Sequence, residues 1–545
     1  MKDNDYNMQD YQETYSSFQW DRPEKYNFAR DVIDRWDPSK AALFWVDDAG
    51  TEISKIFGEI SEASRRLCNV LTDAGVGKGD TVIVMLPRVI PWWETFTATL
   101  RMGAVISPGT VQLSEKDLEY RINAAAATRV ITDSANAAKV DAVLGKCPTL
   151  AARIVTDGQR AGWIDYRQAV AAAAPDFEAA DTGADDEAIC YFTSGTTGYP
   201  KMCIHTHDYA LGHRITGELW LDLKPGDLHW NVSDTGWGKA AYSSYFGPWL
   251  CGTTLFIHHT SGFNPQQTLE LLAKYPVTTF CGAPTIYRML VLEDLGRYRF
   301  KTLRHCTGAG EPLNPEIIDT WKKATGLTIR DGFGQTETVI LCASFPCIEP
   351  RAGSMGKPAP GIDLQVIDDE ANIVGPDTEG DIAVRIRPQP PQGFFREYRN
   401  DPERTAATRR GDWYVTGDRA YRDEDGYFWF VSRADDVILS AGYRIGPFEV
   451  ESALIEHPAV AESAVVSSPD ETRGEVVKAF VVLAPGYAAS DDLKRELQDH
   501  VKRVTAPYKY PRRIDFIDAL PKTVSGKIRR VELRAGERQN QDPDA

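Results

Sequence analysis

The hydrophobic pattern of the long first part of the chain repeats one unit: an amphipathic helix, a glycine turn and a short apolar strand. One unit has a helix predicted at 56–71, a turn at 75–80 and a strand at 81–85. The pattern returns with helices at 92–102, 118–127 and 265–275, and with strands at 104–106, 129–131 and 277–280. Such alternation is typical of parallel sheets covered by helices, so the chain is predicted to be an α/β protein.

The pattern changes at about residue 361, where short strands are separated by glycine and acidic turns. Strands predicted at 363–367, 380–384 and 426–431 indicate a small β-rich subdomain at about 361–434. Helices and strands then alternate again, which predicts a small α+β domain after Arg433. We therefore expect a large N-terminal domain of helix-covered sheets at 1–434 and a small C-terminal domain at 435–545.

Composition narrows the possible partners and compartments. A chain of 545 residues with 42% hydrophobic content is long enough for a large core. Its formal net charge of −17 opposes nucleic-acid binding. No apolar run reaches the roughly 18 residues that span a bilayer, and the first residues lack the pattern of a signal or transit peptide. These features predict a cytoplasmic protein without a membrane span.

The cysteines and histidines give no sign of a structural metal. The nine cysteines are scattered, without a CxxC pair, and are interpreted as reduced core residues. The pairs His205/His207 and His258/His259 lack carboxylate or cysteine partners at a metal-ligand spacing.

A loop at 191–201, YFTSGTTGYPK, has the composition of a phosphate-binding loop. Glycines allow close approach of the backbone to phosphate oxygens, hydroxyls and amides donate hydrogen bonds, and Lys201 supplies positive charge. The spacing GxxxxGK[ST] is absent, so the loop is not a Walker A motif. The alternative interpretation is a mobile turn rich in Gly, Ser and Thr.

Three further motifs are candidates for nucleotide chemistry. The segments 307–312 and 331–338 combine a ring for base stacking, polar groups, and a carboxylate for Mg²⁺. Asp418 in a TGD turn could accept two ribose hydroxyls, although such an aspartate is more often a cap. Lys527 lies on a glycine turn and could neutralise a transferring phosphoryl group; alternatively, this basic segment is only solvated surface.

In this order, the hydroxyl–glycine loop, GQTE, TGD, RADD and PKTVSGK resemble the motifs of the adenylate-forming superfamily, which contains acyl-CoA synthetases, luciferases and peptide-synthetase adenylation domains. The resemblance covers nearly the whole chain. The segments 437–451 and 505–511, and SDTGW at 233–237, are similar to the medium-chain acyl-CoA synthetase branch. A mobile C-terminal domain is implied by this resemblance.

The resemblance also implies site residues. Those assigned to ATP or AMP are Thr193, Ser194, Gly195, Thr196, Thr197, Gly198 and Lys201 for the phosphates, Gly308, Ala309, Gly310, Glu311, Pro312, Asp331, Gly332 and Phe333 for adenine, and Asp418 and Arg433 for ribose. Thr336 and Glu337 would serve the phosphate and Mg²⁺ region, and Lys527 would stabilise the α-phosphate during attack by the carboxylate.

Two half-reactions around one adenylate imply a rotation of the C-terminal domain about the hinge residue Asp435. The rotation would remove Lys527 and bring Gly442, Tyr443 and Arg444 towards the thiol of CoA. Trp237 matches an aromatic gate, although a core tryptophan is the alternative. Gly334 matches a position that a bulky tryptophan occupies in acetate-specific relatives, so the pocket is expected to accept longer acids.

The resemblance thus implies an AMP-forming acyl-CoA synthetase that uses ATP, Mg²⁺ and CoA, most readily with medium-chain fatty acids. Short branched or aromatic, benzoate-like acids are the alternative substrates. Rival functions are a peptide-synthetase adenylation domain, an oxidative luciferase, and a non-catalytic protein that binds nucleotides or acyl-adenylates. The sequence leaves open whether the protein is a monomer or a homodimer.

Overall fold

The computed structural model describes residues 5–193, 199–440, 443–470, 473–522 and 528–539. Its α-helices are α1 Tyr11–Ser17, α2 Phe28–Asp31, α3 Phe57–Asp73, α4 Ile90–Arg101, α5 Glu115–Ala124, α6 Ser134–Val143, α7 Tyr166–Ala172, α8 Tyr209–Gly212, α9 Gly238–Ala241, α10 Gly247–Leu250, α11 Pro265–Lys274, α12 Pro284–Leu290, α13 Pro315–Thr325, α14 Pro402–Ala407, α15 Pro447–Ile455, α16 Asp491–Val504 and α17 Arg530–Gln539. Short 3₁₀ turns lie at Ile33–Arg35, Leu144–Lys146, Leu295–Arg297 and Pro507–Lys509, and π-helical turns at Ile215–Trp220 and Tyr242–Phe246.

The strands are β1 Ala41–Asp47, β2 Glu52–Ile56, β3 Thr81–Met85, β4 Val105–Pro108, β5 Arg129–Thr132, β6 Ala152–Val155, β7 Ile164–Asp165, β8 Glu187–Thr193, β9 Lys201–Thr206, β10 Leu228–Val232, β11 Thr254–His259, β12 Thr279–Gly282, β13 His305–Ala309, β14 Ile329–Gly334, β15 Ile340–Ala343, β16 Lys357–Pro358, β17 Leu364–Ile367, β18 Gly380–Arg385, β19 Glu397–Tyr398, β20 Arg409–Arg410, β21 Trp413–Arg422, β22 Phe428–Arg433, β23 Ile438–Ser440, β24 Tyr443–Ile445, β25 Val460–Asp470, β26 Gly474–Leu483 and β27 Arg513–Phe516.

Two large sheets form the first part of the chain. The eight-stranded sheet has the order β19-β9-β8-β4-β3-β5-β6-β7, and the nine-stranded sheet has the order β16-β15-β14-β13-β12-β10-β11-β1-β2. Their central strands are parallel, as the buried apolar runs predict. Val82 and Ile106 of one sheet and Leu43 and Leu255 of the other belong to a single buried cluster, so the two sheets share a core.

Local sequence signals explain several helix ends. Ser114 caps α5, because its hydroxyl accepts from the Asp117 amide while the Asp117 carboxylate accepts from the Ser114 amide. Ser490 caps α16 at the amide of Leu493. Helix α13 ends at Gly326, whose φ of 76° suits glycine.

Two smaller sheets follow. Strands β17, β18, β20, β21 and β22 form an antiparallel five-stranded sheet, and β23 to β27 form a mixed five-stranded sheet in which β27 lies parallel to β26. The last sheet packs with α15 and α16 around its own cluster, which includes Ile438, Val450 and Leu497. The predicted α/β class, with a β-rich sheet and a C-terminal α+β unit, is therefore confirmed, with small shifts of the element ends. The domain limits at 361 and 434/435 stay predictions.

Candidate active site

The ends of β8 and β9 flank the predicted phosphate loop. Thr193 ends β8 and Lys201 begins β9, and the two residues are paired in the antiparallel register. The five residues between Thr193 and Tyr199, which the sequence assigned to the same loop, lie outside the described residues: Ser194, Gly195, Thr196, Thr197 and Gly198. The Oγ1 atom of Thr193 is buried and has no hydrogen-bond partner among the described residues. The loop therefore leaves and returns to the sheet at a threonine and a lysine.

A tyrosine that the sequence analysis missed joins this lysine to Glu337. The Oη atom of Tyr398 donates to Glu337 Oε1 at 2.6 Å and accepts from Lys201 Nζ at 3.0 Å. The ammonium and the carboxylate are themselves 3.9 Å apart. Burial raises the pKa of Tyr398, and the charge of Glu337 raises it further, so the phenol stays protonated. Strand β19 places Tyr398 here by pairing with β9.

The backbone around Glu337 is held from two sides. His205 Nε2 donates to the carbonyl oxygen of Thr336 at 2.7 Å, and the Phe395 amide donates to the carbonyl oxygen of Glu337 at 2.8 Å. Burial lowers the pKa of His205 to about 4, so the ring is neutral at pH 7. A neutral ring with its proton on Nε2 is the donor that this carbonyl requires. Thr336 and Glu337, predicted to act together, are thus fixed close to Lys201 at the start of β9.

The two segments predicted to hold adenine lie side by side. Strand β13 pairs in parallel with β14, which sets Gly308 beside Asp331 and Ala309 beside Gly332. Asp331 is buried, and its Oδ1 accepts from the Gly332 amide at 2.9 Å. Burial raises the pKa of Asp331 to about 7. Gly310, Glu311 and Pro312 follow β13, and Phe333 is half-buried on β14. Parallel strands that end together form the edge where ligands usually bind α/β sheets.

Gln335 connects this edge to the TGD turn. Its Nε2 donates to Asp418 Oδ2 at 2.6 Å and to the Thr416 carbonyl oxygen at 2.8 Å, and its Oε1 accepts from the Tyr414 phenol at 2.9 Å. Arg433 Nη1 donates to Asp418 Oδ1 at 2.9 Å, because β21 and β22 pair these two residues. Asp418 and Arg433, both predicted for the ribose, are therefore in direct contact.

The predicted gate residue Trp237 immediately precedes α9, and its indole Nε1 is buried without a partner among the described residues. Lys239 lies in the same helix, and its Nζ donates to the carbonyl oxygen of Ala309 at 3.1 Å. Burial lowers the pKa of Lys239, while Cys281, Glu311 and Asp331 act in the opposite direction. A lone lysine within an apolar stretch gave the sequence analysis no signal for this contact.

The structure gives a backbone reason for glycine at 334, apart from its predicted effect on pocket size. A Cβ atom on it would lie 2.5 Å from the carbonyl oxygen of Val339. No side chain fits at this distance without a shift of the turn between β14 and β15. The residue sets the path of the backbone as well as the space beside it.

The predicted hinge lies between charged partners. Arg433 Nε is 3.8 Å from Asp435 Oδ1, and the next residue, Asp436, pairs with Arg534 and lies 3.9 Å from Arg530. Beyond the hinge, Tyr443 is 51% exposed and stacks on Tyr508 with ring centroids 4.3 Å apart. Gly442, the side chain of Arg444 and the predicted catalytic Lys527 lie outside the described residues. The residues predicted to bind the nucleotide are thus mostly buried, whereas Tyr443 beyond the predicted hinge is exposed.

Comparisons with known proteins agree with this arrangement. The protein-family model described as "AMP-binding enzyme" matches residues 32–395, and the model described as "AMP-binding enzyme C-terminal domain" matches residues 449–527. Acyl-coenzyme A synthetase ACSM3, mitochondrial, of Homo sapiens is 49% identical and is aligned over 97% of this chain and 93% of its own.

Solved structures give the same result. The anthranilate CoA ligase AuaEII, in complex with anthranoyl-AMP, has a TM-score of 0.88 at 30% identity, over 95% of this chain and 98% of its own. MatB from Rhodopseudomonas palustris, at 26% identity over 94% of this chain and 98% of its own, has a TM-score of 0.84 in its ATP-bound structure and 0.76 in its apo structure.

The prediction of a cytoplasmic location is wrong by these comparisons, since the relative ACSM3 is a mitochondrial acyl-coenzyme A synthetase. The cellular location of a protein depends on targeting signals that receptors recognise. Amino-acid composition was therefore a poor basis for the prediction. Among the described residues, none of the helices is long and apolar enough to cross a membrane.

The predicted reaction class, an AMP-forming acid–thiol ligase with ATP and CoA as substrates, is confirmed by the same relatives. Since the matched family spans more than half of the sequence, this chain belongs to the AMP-binding enzyme family, in the acyl-CoA synthetase branch of the adenylate-forming superfamily.

Proposed function

We propose that the protein joins a medium-chain carboxylic acid to CoA in two steps on one site. In the first step a carboxylate oxygen attacks the α-phosphorus of ATP, and pyrophosphate leaves with the electrons of the broken P–O bond. In the second step the CoA thiolate attacks the acyl carbon, and AMP leaves. The products are acyl-CoA, AMP and pyrophosphate.

The observation that carries the proposal is the contact of Tyr398 with both Lys201 and Glu337. These residues come from three distant segments, and together they present an ammonium and a carboxylate at the mouth of the phosphate loop. A polyphosphate requires this pair of charges: a cation for its oxygens and a carboxylate for the metal that accompanies it. Binding of an acyl group alone would not require this paired ammonium and carboxylate.

The remaining nucleotide roles follow the same edge. Thr193 to Lys201 would bind the β- and γ-phosphates, Gly308 to Pro312 with Asp331 to Phe333 would enclose adenine, and Asp418 with Arg433 would bind ribose. Gln335 supports the last assignment, because it orients the Asp418 carboxylate from the adenine side. Lys527 would lie on the α-phosphate during the first step, where fixed positive charge stabilises the transition state.

Magnesium fits the residues at this edge. Mg²⁺ commonly binds one or two protein carboxylates together with substrate phosphates, and it supplies positive charge to the departing pyrophosphate. Glu337 is a single carboxylate, only 8% exposed, beside the phosphate loop. The described part of the chain contains no group of three His, Cys, Asp or Glu residues that could hold a metal ion. The ion would therefore arrive with ATP, with Glu337 as its protein ligand.

For the second step, the C-terminal domain would turn about Asp435 and bring the hairpin of β23 and β24 to the adenylate. This division supports domain limits of 1–434 and 435–545, with the β-rich subdomain at about 361–434. Tyr443 supports the role of the hairpin in CoA binding, since an exposed ring stacked on a second ring is available for a ligand that is absent in the first step. Gly442 and Arg444 would flank it.

Straight medium-chain acids are the proposed substrates, and the ACSM3 relative supports a mitochondrial setting for them. Aromatic acids are the second candidate, because the structure superposes with a TM-score of 0.88 on the anthranilate CoA ligase AuaEII. Trp237 and Gly334 would border the acyl group in both cases.

The test is a screen for thioester formation with ATP, Mg²⁺ and CoA. The acids would run from acetate to laurate, with isobutyrate, benzoate and phenylacetate added, and pyrophosphate release would be followed in parallel. A maximum at medium chain lengths supports the proposal, and a maximum at benzoate transfers it to the aromatic candidate. Pyrophosphate release without a thioester from any acid contradicts the CoA step, and no release at all would leave a non-catalytic binding protein.

A further inference from the structure

A polar contact joins the C-terminal domain to the large domain at a distance from the hinge. Asn314 Nδ2 donates to Ser452 Oγ at 3.0 Å. Asn314 is 2% exposed and immediately precedes α13, whereas Ser452 lies within α15. Within the described residues, no other side-chain hydrogen bond connects residues up to 434 with residues from 435 onwards. Together with the ring contact between Phe448 of α15 and Phe430 of β22, whose centroids are 5.9 Å apart, this hydrogen bond holds α15 against the large domain.

Asn314 is also connected, through Arg288, to Glu311 in the predicted adenine segment. Asn314 Oδ1 accepts from Arg288 Nη2 at 3.4 Å, and Arg288 Nη1 lies 3.3 Å from Glu311 Oε2. Thr285 Oγ1 donates to the same carboxylate at 3.3 Å. All three distances are long, and the Nε atom of Arg288 is buried without a partner among the described residues. Arg288 therefore bridges the Glu311 carboxylate and the Asn314 amide, and it connects the predicted adenine segment to Asn314.

Charge on Glu311 also faces the C-terminal domain. Burial tends to lower the pKa of Arg530, but Glu451, Asp436 and Glu311 together raise it above its usual value. Arg530 begins α17, three residues after Lys527. The helix that follows the proposed catalytic lysine is therefore close enough to Glu311 to feel its charge when α15 rests on Asn314.

We propose that Asn314 is a positioning residue for adenylation, which docks α15 through Ser452 and links that docking to the adenine segment through Arg288 and Glu311. The inference rests on the two-step function proposed above. A rotation about Asp435 moves Ser452 away from Asn314, so the contact belongs to the first step and not to the second. The TM-score is higher with ATP-bound MatB than with apo MatB, which supports an overall arrangement of this chain similar to that of the ATP-bound enzyme.

Ser452→Ala and Asn314→Ala test this role with little risk to folding. Alanine suits the interior of α15, and the Asn314 side chain makes no capping hydrogen bond to α13. Losing one hydrogen bond should slow single-turnover adenylation roughly three- to tenfold. Thioester formation from the preformed acyl-adenylate of the best acid, with CoA, should stay within about twofold. Because both substitutions remove one bond, the double variant should be no slower than either single variant.

The matched control is Ser16→Ala, since Ser16 is an exposed helical serine whose hydroxyl bonds only within α1. Equal slowing of both half-reactions, or additive effects in the double variant, would overturn the role of Asn314. A wild-type protein that adenylates no acid would instead count against the proposed function. Melting temperatures of all variants separate a loss of docking from a loss of folding.

Discussion

The residues proposed to bind the nucleotide and the hairpin beyond the predicted hinge differ in burial and in hydrogen bonding. At the edge, Glu337, Asp418 and Tyr398 are buried, and each is fixed by hydrogen bonds from other segments. In the hairpin of β23 and β24, Leu439 and Tyr443 are more than half exposed. Groups fixed in advance need no reorganisation when charge develops, whereas exposed groups must be brought to the reaction by motion. Under the proposed function, the chain would thus be prepared for adenylation and would assemble the thioester side later.

Lys527→Ala should give the largest difference between its effects on adenylation and on thioester formation. If this lysine supplies the charge on the α-phosphate, adenylation should fall roughly 100- to 1000-fold, since removing one pre-placed stabilising group has this effect on related transition states. Thioester formation from preformed acyl-adenylate should change little. Single-turnover measurement of each half-reaction checks this, with Lys494→Ala as the control, because Lys494 lies on α16 of the same domain. Equal losses in both steps would argue against the assignment.

Tyr398→Phe would test whether the buried edge depends on its phenol. The substitution removes hydrogen bonds to both Lys201 and Glu337, and bonds to charged groups contribute about 1.5–3 kcal/mol each. The ATP-dependent step should therefore slow at least tenfold, with a higher Mg²⁺ concentration needed for half-maximal nucleotide binding.

Binding of a fluorescent ATP analogue during Mg²⁺ titration measures the second effect without turnover. Tyr15→Phe is the matched control, since its phenol donates to the Ile362 carbonyl oxygen far from this edge. An unchanged Mg²⁺ requirement in Tyr398→Phe would show that the phenol does not prepare the metal ligand.

Tyr443→Ala would test the exposed side. Loss of the stack on Tyr508 should slow thioester formation roughly fivefold, because aromatic pairs contribute about 0.5–1.5 kcal/mol beyond their buried area. Adenylation should be unaffected. Tyr487→Ala is a suitable control, as Tyr487 is also exposed, at 47%, in the same domain. Slower adenylation in Tyr443→Ala alone would contradict the division between the two sides.

Asp331→Asn should give the smallest effect, a change in how stability depends on pH. Burial raises the folded-state pKa of Asp331 from 3.8 to about 7, so the folded chain keeps a proton that the unfolded chain loses. The retained proton stabilises the folded chain relative to the unfolded chain. This contribution to the free energy of unfolding is complete below pH 4 and is lost as the pH rises through 7. The fall in Tm between pH 4.5 and 7.5 should be a few degrees smaller in Asp331→Asn than in the wild type. The exposed substitution Asp369→Asn should leave the fall unchanged.

The sequence was most informative where chemistry is local. Helix and strand periods predicted the layers, and Asp418 and Arg433, both assigned to the ribose from motifs, lie in direct contact. It was least informative where a contact depends on distant segments: Tyr398 in β19, Lys239 in α9 and His205 in β9 carry no local motif, yet each holds part of the candidate site. Sheet pairings place Tyr398 and His205, whereas Lys239 reaches the end of β13 from a helix.

The contact between Gly334 and Val339 has a consequence for how acid preference can change in evolution. A Cβ at 334 meets a main-chain oxygen at 2.5 Å, and a main-chain atom cannot move aside as a flexible side chain can. Any descendant that acquires a larger residue there must also change residues of the following turn. Substrate range at this position would therefore shift through linked substitutions, with single-step intermediates that fold or function poorly.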